Sequence, residues 1–225
     1  MKKMKETKFY LTTVLIIATY YAIFNFVARL ELVDQLSDFG FYGLQILLIF
    51  LEGIAATVVL VKSQGWDEYG RLQFRWSYLG VFFLFFILMF LWVNITTLIF
   101  PSTQNGSEMM KEAANLTGIS YFVMRILYGS LIAPIVEELV FRGLLMTALS
   151  KFKNYYLDVV VSSTLFSLIH VLQYGWALTD FIVYAGAGLL FCMLFRYTHS
   201  VYWSITLHIL WNTFLIIASL LVFGY

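Results

Sequence analysis

Six polar side chains stand inside otherwise apolar runs of this 225-residue chain, at spacings that suit chemistry. In 133-APIVEELVFRGLL-145, Glu137 and Glu138 are adjacent and Arg142 follows four residues on. His170 ends the apolar stretch 166-FSLIH-170, and His208 precedes Asn212 by four in 208-HILWN-212. Glu138 and Arg142 share one helix face in the order that favours an ion pair. Glu137 is turned about 100° away on a helix of 3.6 residues per turn and has no local partner, which makes it the chemical residue of the pair. His208 and Asn212 also share a face. Hydrolysis of an amide needs a base to deprotonate water, and a glutamate can serve. It also needs donors for the developing oxyanion, and an asparagine amide or a histidine N–H is suitable. A charged side chain at mid-membrane costs about 2.5–3.5 kcal/mol on insertion scales, so such residues imply function by default. The competing reading is a buried charge network that holds helices together. Cys192, the single cysteine, reads as packing.

These residues need helices across a bilayer to carry them. The chain is 61% hydrophobic and 12% charged, with mean hydropathy +0.84, whereas a soluble domain is about 25% charged. That composition predicts an all-α polytopic membrane bundle; the net charge of +1 says nothing about nucleic acid, and no nucleic-acid partner is expected. A spanning helix needs about 20 apolar residues. Seven segments qualify, at roughly 9–28, 41–61, 77–100, 119–149, 156–173, 177–195 and 201–223. The fourth is too long for one straight crossing, and Pro134 is expected to kink it. Gly186 and Gly188 in the sixth allow close packing. The first lacks a clear cleavage site before Arg29 and reads as retained rather than as a signal peptide. The chain reads as one membrane domain: 1–118 holds the N-terminal spans and loops, and 119–225 the motif-bearing core. Segment 101–118 is the most polar connection, with a short surface helix expected around 107–115. Its two N-x-[ST] triplets, at Asn105 and Asn115, carry little weight.

Lysine and arginine set the orientation. The N-terminal MKKMKETK, the loop with Lys62, Arg71 and Arg75, the turn with Lys151 and Lys153, and Arg196 all fall on one side of a seven-span topology. The loop with Arg29 also carries Glu31, Asp34 and Asp38 and lies opposite. A cytoplasmic N-terminus and an outside C-terminus follow as the expectation. His199, beside Arg196, reads as interfacial. At about 1.5 Å per helical residue, Glu137, His170 and His208 lie at similar depths, so they are able to meet in one cavity.

Glu137-Glu138-x-x-x-Arg142, Phe166-x-x-x-His170 and His208-x-x-x-Asn212 occur in separate spans and in this order. The set resembles the CPBP family, the CAAX protease and bacteriocin-processing (Abi) intramembrane endopeptidases, over residues 119–215. The resemblance implies peptide-bond hydrolysis in a membrane cavity. It implies Glu137 as the catalytic glutamate, His170 as the histidine that helps activate water, and His208 and Asn212 as holders of water or oxyanion. Glu138, Arg142 and Phe166 would then be supporting residues. No cofactor is favoured. Zinc held by Glu137, His170 and His208 is the alternative, although no H-E-x-x-H is present. The expected partners are membrane lipids and a peptide or lipidated-protein substrate, either a leader-type peptide or a prenylated C-terminus. A non-proteolytic immunity or regulatory protein of the same fold is the alternative function, and a proton-coupled transporter a third.

Overall fold

Apolar sequence in lipid must satisfy its backbone internally, and an α-helix does so within one segment. The computed structural model describes residues 4–27, 36–63, 65–100, 103–115, 118 and 122–223, and the described residues contain helices and no strand. The helices are α1 (Glu6–Phe26), α2 (Asp38–Ser63), α3 (Trp76–Ile99), α4 (Gln104–Asn115), α5 (122–148), α6 (Leu157–Tyr174), α7 (Leu178–Thr198) and α8 (Val201–Phe223). A short helix, Gly65–Tyr69, joins α2 to α3. The expected all-α membrane bundle is therefore present. The loop residues Arg29, Glu31 and Asp34, and the Leu116 and Thr117 of the Asn115 triplet, lie outside the described residues.

Five helices, α1, α2, α3, α7 and α8, are long and apolar enough to cross a membrane, and α6 is a shorter apolar helix. The fourth expected span differs from a simple kinked helix. Phe122–Ile132 is π-helical, Ala133–Glu138 is α-helical, Leu139–Leu145 is π-helical again, and Met146–Ala148 returns to α. Pro134 sits where the first π stretch ends. In i→i+5 register residue 134 would donate to the Gly129 carbonyl, and proline has no N–H to give. Asn212 Nδ2 on α8 donates to that carbonyl instead, at 2.9 Å.

Glycines set the close approaches. A Cβ at Gly186 would stand 2.1 Å from the Trp92 ring of α3, and one at Gly188 would stand 3.1 Å from the Ser163 Cα of α6. A Cβ at Gly53 would meet Val136 Cγ2 at 2.9 Å, so α2 lies directly against α5 one residue from Glu137. Aromatic rings fasten α3 to α8, with Trp203 against Tyr78 and Phe82. The opposite flank of α3, including Phe83, Leu84 and Ile87, is exposed, as a lipid-facing surface would be.

Helix α4 begins three residues before the expected 107. Its first amides, of Gln104 and Asn105, donate to Asp180 Oδ2 on α7 at 3.1 and 3.3 Å, an N-terminal cap supplied from another helix. Asn105 is buried and gives Nδ2 to the His170 carbonyl at 2.5 Å.

Candidate active site

Arg142 and Glu138 are both fully buried, and Nη1 donates to Oε1 at 2.9 Å, the contact that their i, i+4 spacing predicts. The guanidinium also donates through Nη2 to the Gly188 carbonyl at 2.9 Å and lies over the Phe166 ring at 4.6 Å and the Phe191 ring at 5.2 Å. Gly188 brings α7 close enough for its carbonyl to serve. One arginine therefore ties α5, α6 and α7 together. A buried charge is tolerated only when paired and hydrogen-bonded; this pair is bonded through Glu138 Oε1 and both Arg142 Nη groups, while Glu138 Oε2 and Arg142 Nε are buried without a hydrogen bond.

Glu138 Oε1 also meets His208 Nδ1 on α8 at 3.0 Å. A carboxylate paired with arginine accepts only, so His208 Nδ1 carries the proton. In the neutral ring Nε2 then presents its lone pair. That nitrogen lies 3.7 Å from Glu137 Oε2, close but beyond hydrogen-bond length. His208 stacks on Phe191 at 4.4 Å, which fixes the ring plane. The two adjacent glutamates thus address opposite nitrogens of one imidazole.

Glu137 is 3% exposed. Its Oε1 accepts a hydrogen bond from the Tyr20 hydroxyl of α1 at 3.2 Å. Nothing in the motif spacing indicated Tyr20. The available signal was the polar run 19-TYY-21 within an apolar helix, since buried tyrosine hydroxyls seek partners.

His170 sits one layer away. Its ring stacks on Tyr184 at 4.4 Å and meets Phe166 at 4.8 Å and Phe24 at 5.8 Å. Nδ1 lies 2.9 Å from the Phe166 carbonyl, an acceptor, so Nδ1 holds the proton and Nε2 is the free lone pair. Phe166 is the shared wall, touching Arg142, His170 and His208. Asn212 commits one amide hydrogen to Gly129, and a primary amide has a second.

The site thus gathers Glu137, Glu138, Arg142, Phe166 and His208 in contact. His170 joins them through Phe166, and Asn212 through the α5 backbone. Glu137 and His208 lie together, whereas His170, the third residue of the alternative zinc set, reaches them only through Phe166. Among the described residues no three His, Cys, Asp or Glu side chains are grouped to hold a metal; with Nδ1 held by Glu138, His208 would offer Nε2 to one. His199 lies outside the site, capping α7 in a left-handed conformation (φ 49°) against Tyr69. Cys192 is fully buried among core side chains.

Comparison with known proteins finds similarity to membrane peptidases. Residues 119–214 match the type II CAAX prenyl endopeptidase Rce1-like family. The chain is 26% identical over 193 residues to the membrane-embedded CAAX protease MroQ of Staphylococcus aureus (strain USA300), covering 78% of this chain and 73% of that one. It is 29% identical over 115 residues to YdiL of Bacillus subtilis (strain 168), named as a membrane peptidase, covering 51% of this chain. That match spans 45% of YdiL, less than half its length. No solved structure is a significant match. The motif region is similar to the Rce1-like CAAX prenyl endopeptidases, and with these two relatives it supports a membrane protease of the CAAX protease and bacteriocin-processing family.

Proposed function

We propose that this protein is an intramembrane endopeptidase in which Glu137 activates water against a peptide bond. The observation that carries this reading is the paired geometry at His208, with Nδ1 held by Glu138 at 3.0 Å and Nε2 facing Glu137 Oε2 at 3.7 Å. Two acceptors side by side can receive the two O–H groups of one water and leave its lone pair free to attack. The water O–H bond breaks as its proton passes to Glu137, and the new C–O bond forms as the carbonyl electrons move to oxygen. The second Asn212 amide hydrogen is the donor for that oxyanion. Collapse breaks the C–N bond, and Glu137 returns its proton to the leaving nitrogen. His170 Nε2, a lone pair in this tautomer, acts as an acceptor in the water path rather than as an oxyanion donor.

The substrate of this reading is a membrane-associated peptide or lipidated protein, a prenylated C-terminus or a leader-type peptide. The family description and the name of MroQ support the prenylated class. The reaction is metal-independent, the N-terminus is cytoplasmic and the C-terminus outside, and residues 119–225 are the catalytic core of a single domain. The test is cleavage of a farnesylated CAAX-type peptide and a leader-type peptide by purified protein, with Glu137→Gln beside it and with and without a strong chelator. Cleavage by wild type alone, unaffected by chelator, supports the reading. Chelator inhibition reversed by zinc replaces it with a metalloprotease. No cleavage, with the cellular phenotype of Glu137→Gln intact, replaces it with the non-proteolytic partner.

A further inference from the structure

Helix α1 lies outside the segment matched by the family model, yet it reaches the site. Successive residues of a helix point about 100° apart, and three in a row on α1 hydrogen-bond in three directions. The Thr19 hydroxyl donates to Glu52 Oε1 on α2 at 2.8 Å. The Tyr20 hydroxyl donates to Glu137 Oε1 on α5 at 3.2 Å. The Tyr21 hydroxyl donates to the Leu165 carbonyl on α6. Three polar contacts at one level fix the rotation and height of α1. They deliver the Tyr20 hydroxyl to a fixed point beside the Glu137 carboxylate. The Tyr20 ring is fully buried, edge-on to Phe141 at 6.0 Å and stacked with Phe24 at 6.2 Å, so the hydroxyl has little freedom to swing away.

We propose that Tyr20 is a positioning residue for Glu137. Resting on the reading of Glu137 as the base, this assigns the two carboxylate oxygens different tasks. Tyr20 occupies Oε1 and stops rotation of the carboxylate, so that Oε2, the oxygen facing His208 Nε2, is the one that takes the proton from water. The N-terminal spans therefore complete the site rather than only anchoring it.

Tyr20→Phe removes the hydroxyl and keeps the ring contacts. Expected is a fall in kcat of about 10- to 100-fold, the range for a lost hydrogen bond to a charged group, with KM held. Tyr21→Phe loses an anchor of the same helix without touching Glu137, and its kcat should fall by less than about threefold on the same scale. Wild-type kcat in Tyr20→Phe, or equal losses in both variants, overturns the proposal. Cleavage on farnesylated peptide by Glu137→Gln would instead sink the reading of Glu137 as base. An infrared difference spectrum, wild type minus Glu137→Gln, isolates the Glu137 carboxyl without any substrate. Tyr20→Phe should shift that band and Tyr21→Phe should not; an unmoved band overturns the contact itself.

Discussion

Two charged clusters in this molecule use the same residue types under different conditions. In the middle of the bundle, Glu138, Arg142 and His208 are almost wholly removed from solvent and bonded to one another through Glu138 Oε1. At the end of α5, the turn 150–155 carries Lys151 paired with Glu6, and Arg196 meets Asp158 at 3.5 Å while lying over the Tyr156 ring at 4.4 Å. Lys151 and Glu6 are well over half exposed. The inner cluster has no water to replace a lost partner, whereas the outer one has. Ion pairing is thus structural in the inner cluster and, at the exposed Lys151–Glu6 pair, nearly dispensable in the outer one.

The largest test of that contrast is Arg142→Leu, which leaves Glu138 buried without its cation and with only the His208 hydrogen bond. Breaking a buried pair costs about 3–5 kcal/mol, read by unfolding in detergent, and Arg142→Leu with Glu138→Leu should recover much of it. A single-variant cost below the range for exposed pairs would erase the difference between the clusters. The neighbouring acids sharpen the comparison. Glu137→Gln should lower peptidase kcat by about 10²- to 10⁴-fold at unchanged melting temperature, while Glu138→Gln should lose both activity and stability.

Smaller effects probe the edges. Gly188→Ala places a methyl 3.1 Å from the Ser163 backbone and pushes α7 from α6, away from Arg142. Overpacking costs about 1–3 kcal/mol, and activity should fall with it. Arg196→Met orphans the buried Asp158 and should cost about 1–3 kcal/mol in the same unfolding assay. Lys151→Met should leave the melting temperature unchanged. The Glu6 hydrogen bond raises the Lys151 pKa above its ordinary 10.5. Any stabilisation from this pair is therefore complete below that pH and fades as pH rises through the raised value. A melting temperature of wild type that departs from Lys151→Met only above the raised value would contradict this sign.

The comparison also explains what could be read in advance. The Glu138–Arg142 contact was legible because it is local, and i, i+4 geometry follows from helical pitch alone. Five long apolar helices and α6 were legible from hydropathy. The register of α5 was not, since π and α turns differ by one residue of hydrogen bonding and apolar pattern does not distinguish them. Pro134 marked the place but not the outcome, in which Asn212 takes up the freed Gly129 carbonyl.

By itself, the sequence determined a helical membrane bundle, the polar residues inside it and the pairs within single helices, because composition and pitch act locally. Tertiary structure decided the rest. Which nitrogen of His208 meets which glutamate, how His170 is held behind Phe166, and that Tyr20 reaches Glu137 depend on the rotation and height of packed helices. Those are set by glycine contacts such as Gly53 on Val136 and Gly188 on Ser163, and by polar bonds between residues more than a hundred positions apart.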